Sequence, residues 1–219
     1  IRAGQAFIVL SEKDGWRHAY VYSRDGKELA LLTPGKFDII ERAVVDESGG
    51  WYYFYASPDN ATEKYLYRVR LDGTGAPERV TPKNQPGTQD YDFSPDAQWA
   101  VHTYSAMMTP PVVELIRLPE HNVVRVLADN RKLREKLAAL RQPTAEFLQV
   151  DIGGDLALDA WCLKPPELNP AAKYPLLIYV YGEPHGQTVC DVWPEKSERW
   201  LWHWMLAQQG CIVASVDNR

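Results

Sequence analysis

Apolar and polar positions alternate with a short period through the first 128 residues. The runs FIVL (7–10), AYVY (19–22), WYYFYA (51–56), YLYRVRL (65–71), WAVHTYS (99–105) and VVELIRL (112–118) are rich in aromatic and β-branched side chains, and turn residues bound them. Such runs predict short strands joined in an antiparallel meander. The pattern also recurs: Asp25-Gly26 returns as Asp72-Gly73, 47 residues on, and Leu32-Thr33-Pro34 returns as Val80-Thr81-Pro82, 48 residues on. A period of about 40 to 50 residues with about four strands per unit predicts β-propeller blades. Phe93-Ser94-Pro95-Asp96-Ala97, the turn before Trp99, then opens a third unit. Two and a half blades leave strand edges open, which invites association. Strand spacing alone fits a generic antiparallel sandwich as well.

Beyond residue 128 the period changes. Asp129 and Asn130 offer N-cap oxygens, and Leu133, Leu137 and Leu140 follow at i, i+4 and i+7 with Arg and Lys between them. This predicts a short amphipathic helix in a linker over 129–143, stopped by Pro143. FLQVDI and LALDAWCLKP alternate around Gly153-Gly154 and predict a hairpin. LLIYVY (176–181) predicts a central strand buried on both faces. A helix from Trp200 to Gln209, ended by Gly210, and the strand CIVASVD complete a β-α-β order, which a right-handed crossover turns into a parallel sheet. The expected architecture is therefore mixed: a partial β-propeller of antiparallel blades over 1–128, the linker over 129–143, and the N-terminal part of an α/β-hydrolase domain over 144–219.

Composition narrows the function. With 219 residues, 45% of them apolar, and a net charge of -5 with both signs scattered, the chain belongs to the ordinary globular class. A basic stripe for nucleic acid is missing. Cys162, Cys190 and Cys211 are an odd count with apolar neighbours, which predicts buried small hydrophobes rather than a disulfide framework. His18, His102, His121, His185 and His203 lack the i,i+4 pairing of a zinc helix, so neither a metal nor a cofactor is expected. The longest apolar run, Pro175 to Tyr181, is far shorter than the ~20 residues that span a bilayer.

A hydrolase sheet of this order needs Gly-x-Ser-x-Gly and, later in the chain, an acid and a histidine. Gly-x-Ser-x-Gly does not occur in these residues. Tyr181, at the end of the apolar run and just before Gly182, reads by itself as a packed strand aromatic. Glu183 and His185 read as solvated loop charges, and Asp217-Asn218-Arg219 as a hydrogen-bonded turn after the last strand.

Lys173-Tyr174-Pro175, Tyr179-Val180-Tyr181-Gly182, Pro184, Gln187-Thr188, Trp202, Leu206-Ala207-Gln208-Gln209-Gly210 and Val216-Asp217-Asn218-Arg219 resemble the start of the catalytic domain of dipeptidyl peptidase IV-type serine peptidases, in the prolyl oligopeptidase family. Asp14-Gly15-Trp16-Arg17-His18, Thr109-Pro110-Pro111 and Arg125-Val126-Leu127-Ala128-Asp129-Asn130 resemble the last blades and linker of the same family. The resemblance implies a serine exopeptidase that removes N-terminal dipeptides with proline or alanine in second place. It implies a peptide substrate, a homodimer, a periplasmic or secreted location, and an oxyanion-donor role for Tyr181. It also implies that these residues alone are inactive, because the nucleophile, acid and histidine lie outside them. The family commonly has Gly-Gly-Pro-Gly after the tyrosine, where this chain has Gly182-Glu183-Pro184-His185-Gly186. A propeller-type binding module without catalysis, and a fragment of a prolyl oligopeptidase or acylaminoacyl peptidase, are the alternatives.

Overall fold

A computed structural model describes residues 1–181, 186–194 and 197–218. They form two units, the first from Ile1–Tyr104 with Val112–Asp129, the second from Ser105–Pro111 with the described residues from Asn130 onward.

The first unit is three sheets in which strands adjacent in sequence lie side by side. β1 (Ala6–Ser11), β2 (His18–Ser23) and β3 (Glu28–Leu31) form one; β4 (Ile39–Asp46), β5 (Trp51–Ala56), β6 (Tyr65–Arg70) and β7 (Glu78–Arg79) the next; β8 (Thr88–Phe93), β9 (Trp99–Ala106), β10 (Thr109–Arg117) and β11 (Asn122–Ala128) the last. The tip of the β9–β10 hairpin, Ser105–Pro111, clusters with the second unit. Strand β5 explains the stacking. Its Tyr52, Phe54 and Ala56 join a core with Ala19 and Val21 of the first sheet and Leu32 just past it, whereas Tyr53 and Tyr55 join one with Tyr91 and Ile116 of the third and Leu118 just past β10. Alternating side chains thus bury both faces of the middle sheet, as in stacked blades. The region is propeller-like, and no closed sheet is formed among the described residues.

The 47-to-48-residue repeat has a physical cause. Asp25-Gly26 and Asp72-Gly73 occupy the β2–β3 and β6–β7 turns, with both glycines at positive φ, +86° and +80°. After each following strand a buried threonine hydroxyl accepts a backbone N–H: Thr33 from Ala19 at 3.0 Å, Thr81 from Leu66 at 2.9 Å. The residue before each threonine donates back to the same partner, Leu32 to Ala19 and Val80 to Leu66, both at 2.8 Å.

Two expectations for this unit need correction. Phe93-Ser94-Pro95-Asp96 does not open the third sheet but turns inside it, between β8 and β9. Strand β8, TQDYDF, reads as polar because the inward Gln89, Tyr91 and Phe93 alternate with the exposed Asp90 and Asp92. Strands β3, β4, β7 and β11 are further strands that apolar runs did not mark, since their side chains are largely exposed.

In the second unit, α1 (Arg131–Ala138) precedes the hairpin of β12 (Thr144–Gly153) and β13 (Leu156–Lys164), then β14 (Leu176–Tyr179), α2 (Ser197–Gln208) and β15 (Ile212–Val216). The sheet order is β12-β13-β15-β14, with β14 and β15 parallel and the other pairs antiparallel. Helix α2 closes the parallel crossover. Its Trp200, Trp204 and Ala207 bury Trp161, Leu163, Leu177, Tyr179 and Val213 on one sheet face.

The structure differs from the sequence pattern in three places, the first of which follows from this one-sided cover. Strand β14 is an edge strand and not buried on both faces: Leu176 and Ile178 are exposed, while Leu177 and Tyr179 pack against α2. Helix α1 is shorter than expected and buries only Leu137, leaving Leu133 and Leu140 exposed. Asn130 does not cap it with its side-chain oxygen; its amide group donates to the Pro111 carbonyl at 2.8 Å. Among the described residues the three cysteines form no disulfide, and of them only Cys162 is buried, Cys190 and Cys211 being half-buried. Among the described residues no helix is long and apolar enough to cross a membrane.

Candidate active site

The carboxyl ends of β14 and β15 lie side by side because the two strands are parallel, with Tyr179 opposite Ser215. In α/β sheets this end is where ligands bind. Tyr181 stands two residues beyond β14 and is partly exposed. Its phenol donates to the Asn218 side-chain oxygen at 3.1 Å, and the Asn218 backbone N–H approaches the phenolic oxygen at 3.4 Å. Gly182, Glu183, Pro184, His185 and Arg219 lie outside the described residues.

Around this pair the chain is cross-linked by short polar contacts. The Asp217 carboxylate accepts from the Thr188 N–H at 2.8 Å, the Thr188 hydroxyl at 3.0 Å and the Val189 N–H at 3.2 Å. Buried Ser215 donates to the Tyr179 carbonyl at 2.8 Å and pairs with the Thr188 hydroxyl at 2.8 Å. The Trp161 indole N–H donates to the Thr188 carbonyl at 3.1 Å. Thus Ser215, Asp217 and Asn218, at the end of one strand, hold both the tyrosine and the segment at 188–189. Sequence reading gave Asp217-Asn218 a turn-ordering role and missed their partners, which lie about 30 to 37 residues away and leave no local signal.

A mostly apolar cleft of about 200 Å³ adjoins the helix-covered face and is lined by Tyr179, Arg199, Trp200 and His203 among others. The Arg199 guanidinium donates to the Tyr179 hydroxyl and lies over that ring, 5.2 Å from its centroid. His203 is 3% exposed. Burial first, and the Arg199 charge second, push its imidazole below the ordinary histidine range, so it is neutral at pH 7. Asp191, whose carboxylate accepts the Met107 N–H at 2.7 Å, is pushed upward by burial. Among the described residues no group of three His, Cys, Asp or Glu could hold a metal ion. What the arrangement can do is hydrogen-bond donation, from a phenol held just past the ends of a parallel strand pair.

Residues 1–111, just over half of the chain, match the family described as the dipeptidyl peptidase IV (DPP IV) N-terminal region. A protein of Emericella nidulans named "Probable dipeptidyl-aminopeptidase B" is 32% identical over 94% of this chain, which covers 22% of that relative. The crystal structure of Porphyromonas gingivalis dipeptidyl peptidase 4 superposes with a TM-score of 0.87 at 32% identity, over 99% of this chain and 29% of that one. A structure titled as a putative dipeptidyl aminopeptidase IV from Bacteroides ovatus shares the fold, with a TM-score of 0.77 at 21% identity, over 98% of this chain and 32% of that one. The chain thus spans less than a third of each of these proteins. The family match covers just over half of the chain and the superposition nearly all of it, and the chain belongs to the dipeptidyl peptidase IV family.

Proposed function

We propose that these residues are part of a serine-type dipeptidyl peptidase of the prolyl oligopeptidase family, which releases Xaa-Pro or Xaa-Ala dipeptides from peptide N-termini. In this reading 1–128 are the last blades of a β-propeller, 129–143 the linker, and 144–219 the start of an α/β-hydrolase domain. The single observation that carries it is the likeness to P. gingivalis dipeptidyl peptidase 4 across 99% of the chain. The β14-α2-β15 crossover supports the hydrolase part, being a parallel unit with its polar groups gathered at the strand carboxyl ends.

Attack of a serine on the scissile carbonyl moves negative charge onto the carbonyl oxygen. The whole protein would supply that serine from outside these residues, which contain no Gly-x-Ser-x-Gly. Tyr181 would donate its hydroxyl to the growing oxyanion. The phenol ring is placed beforehand, so that only the O–H has to turn as charge develops, and losing one such donor typically costs ~10² to 10³ in turnover.

Tyr181→Phe in the whole protein tests this. The ring still packs, so the Michaelis constant for an Ala-Pro chromogenic amide should move little while kcat falls by at least ~10²-fold. Near wild-type turnover in a normally folded variant would reduce Tyr181 to a packing residue.

A further inference from the structure

We propose that Asn218 is a positioning residue that aims the Tyr181 hydroxyl, an inference that rests on the oxyanion role proposed above. The phenol is engaged on both of its hydrogen-bonding functions by this one residue. The side-chain oxygen of Asn218 takes the phenolic proton's hydrogen bond at 3.1 Å, and its backbone N–H points at the phenolic oxygen at 3.4 Å. Both residues stand just past the ends of parallel neighbours. Their spacing is therefore set by the sheet and not by a flexible loop.

A tyrosine beyond a strand end, with a partly exposed side chain, would otherwise sample several χ1 wells. Confining it in the resting protein removes an ordering cost from the transition state. The same stretch secures its own footing, since Asp217 is tied to the N–H groups of Thr188 and Val189. Asn218 therefore projects from an anchored backbone.

When the carbonyl oxygen becomes negative, the phenolic O–H turns about its C–O bond from the neutral amide oxygen to the oxyanion. The proton stays on Tyr181 throughout. A charged acceptor outcompetes a neutral one for the same donor, so the exchange is favourable only once charge has developed. The Asn218 N–H contact to the phenolic oxygen can persist through the turn.

The test is a double-mutant cycle in the whole protein with an Ala-Pro chromogenic amide: Asn218→Ala, Tyr181→Phe and the pair, each checked by thermal melting. Asn218→Ala deletes the acceptor and keeps the backbone N–H. Its kcat should fall about 10-fold with the Michaelis constant within about twofold, and it should cause no further loss when Tyr181 is already Phe. If the alanine variant does not fold, Asn218→Ser, whose hydroxyl is too short to reach the phenol, carries the same expectation. Unchanged or raised kcat, or losses that multiply in the double variant, would overturn the positioning role while leaving Tyr181 in place. Full activity of Tyr181→Phe alone would instead overturn the oxyanion reading, and this inference with it.

Discussion

Thr81 sits at the junction of a buried relay. Its hydroxyl accepts the Leu66 N–H at 2.9 Å and pairs with the Tyr91 hydroxyl at 2.8 Å, which in turn meets His121 Nε2 at 2.9 Å. Valine has nearly the same shape but no oxygen, so Thr81→Val leaves a buried N–H and a buried phenol short of a partner. An unsatisfied buried group costs about 1 to 3 kcal/mol, and Thr81→Val should lower stability by about that much in urea titration. Thr81→Ser, which keeps the oxygen, should recover most of it; a Val variant as stable as the parent would show that the relay adds nothing. Thr33→Val breaks the matching bond to Ala19 and should fall at the lower end of the range. Both threonines were legible as a repeat in the sequence, whereas the reason for the repeat was not, because each bonds a residue 14 or 15 positions earlier on another strand. Tyr181 was likewise visible from its place after an apolar run, but its partner 37 residues on was not.

Strands that bury aromatic and β-branched side chains announced themselves: Trp51–Ala56 was legible to the residue. Those that present polar or exposed side chains did not, because β11 leaves its whole length exposed and β8 alternates inward Gln and Tyr with outward charge. Strand β14 misled in the opposite sense: a continuous apolar run suggested burial on both faces, yet α2 covers only one among the described residues. The end of α2 was legible because its stop signal is local. Gly210 takes φ +88°, its N–H reaches the Ala207 carbonyl at 3.0 Å, and the Cys211 N–H reaches the Leu206 carbonyl at 3.0 Å. This is the Schellman arrangement, with the left-handed residue directly after the helix. A Cβ at Gly210 would meet nothing within 4 Å, so Gly210→Ala tests backbone strain alone. It should destabilise the second unit by about 1 kcal/mol, and Gly210→Asn, more tolerant of this conformation, by less. Equal melting temperatures for all three would mean that the helix end relaxes without cost.

Among the described residues, buried His102, His121 and His203 have imidazoles held below the ordinary range, which makes stability respond to acid across the whole molecule. His102 is fully buried, and burial, then the neighbouring His121, pushes its imidazole down to about 3. His121 and His203 are also lowered, burial being the first cause in each. Around His102 the Gln89 amide group donates to the Gln85 and Pro86 carbonyls, so its oxygen faces His102 Nε2 at 2.9 Å and fixes the proton on that nitrogen. The other nitrogen faces Glu114 at 3.6 Å, and the rings of Tyr91, Tyr104 and His121 close the pocket. Above the unfolded value near 6.5, neither folded nor unfolded chain binds these protons, and the full stability is present. As pH falls from about 6.5 toward 3, the unfolded chain takes up protons that the fold refuses, and stability is lost. Burial raises Glu114 and Asp191, which works in the opposite direction, because the fold keeps their protons to higher pH than the unfolded chain does. Between pH 7 and pH 5, His102 alone should remove about 2 kcal/mol, read as a falling urea midpoint. His102→Gln keeps a donor for Gln89 but has nothing to titrate, so its midpoint should be flatter over the same range. A variant that loses stability with pH as steeply as the parent would show that His102 is protonated within the fold, with Glu114 as its charged partner.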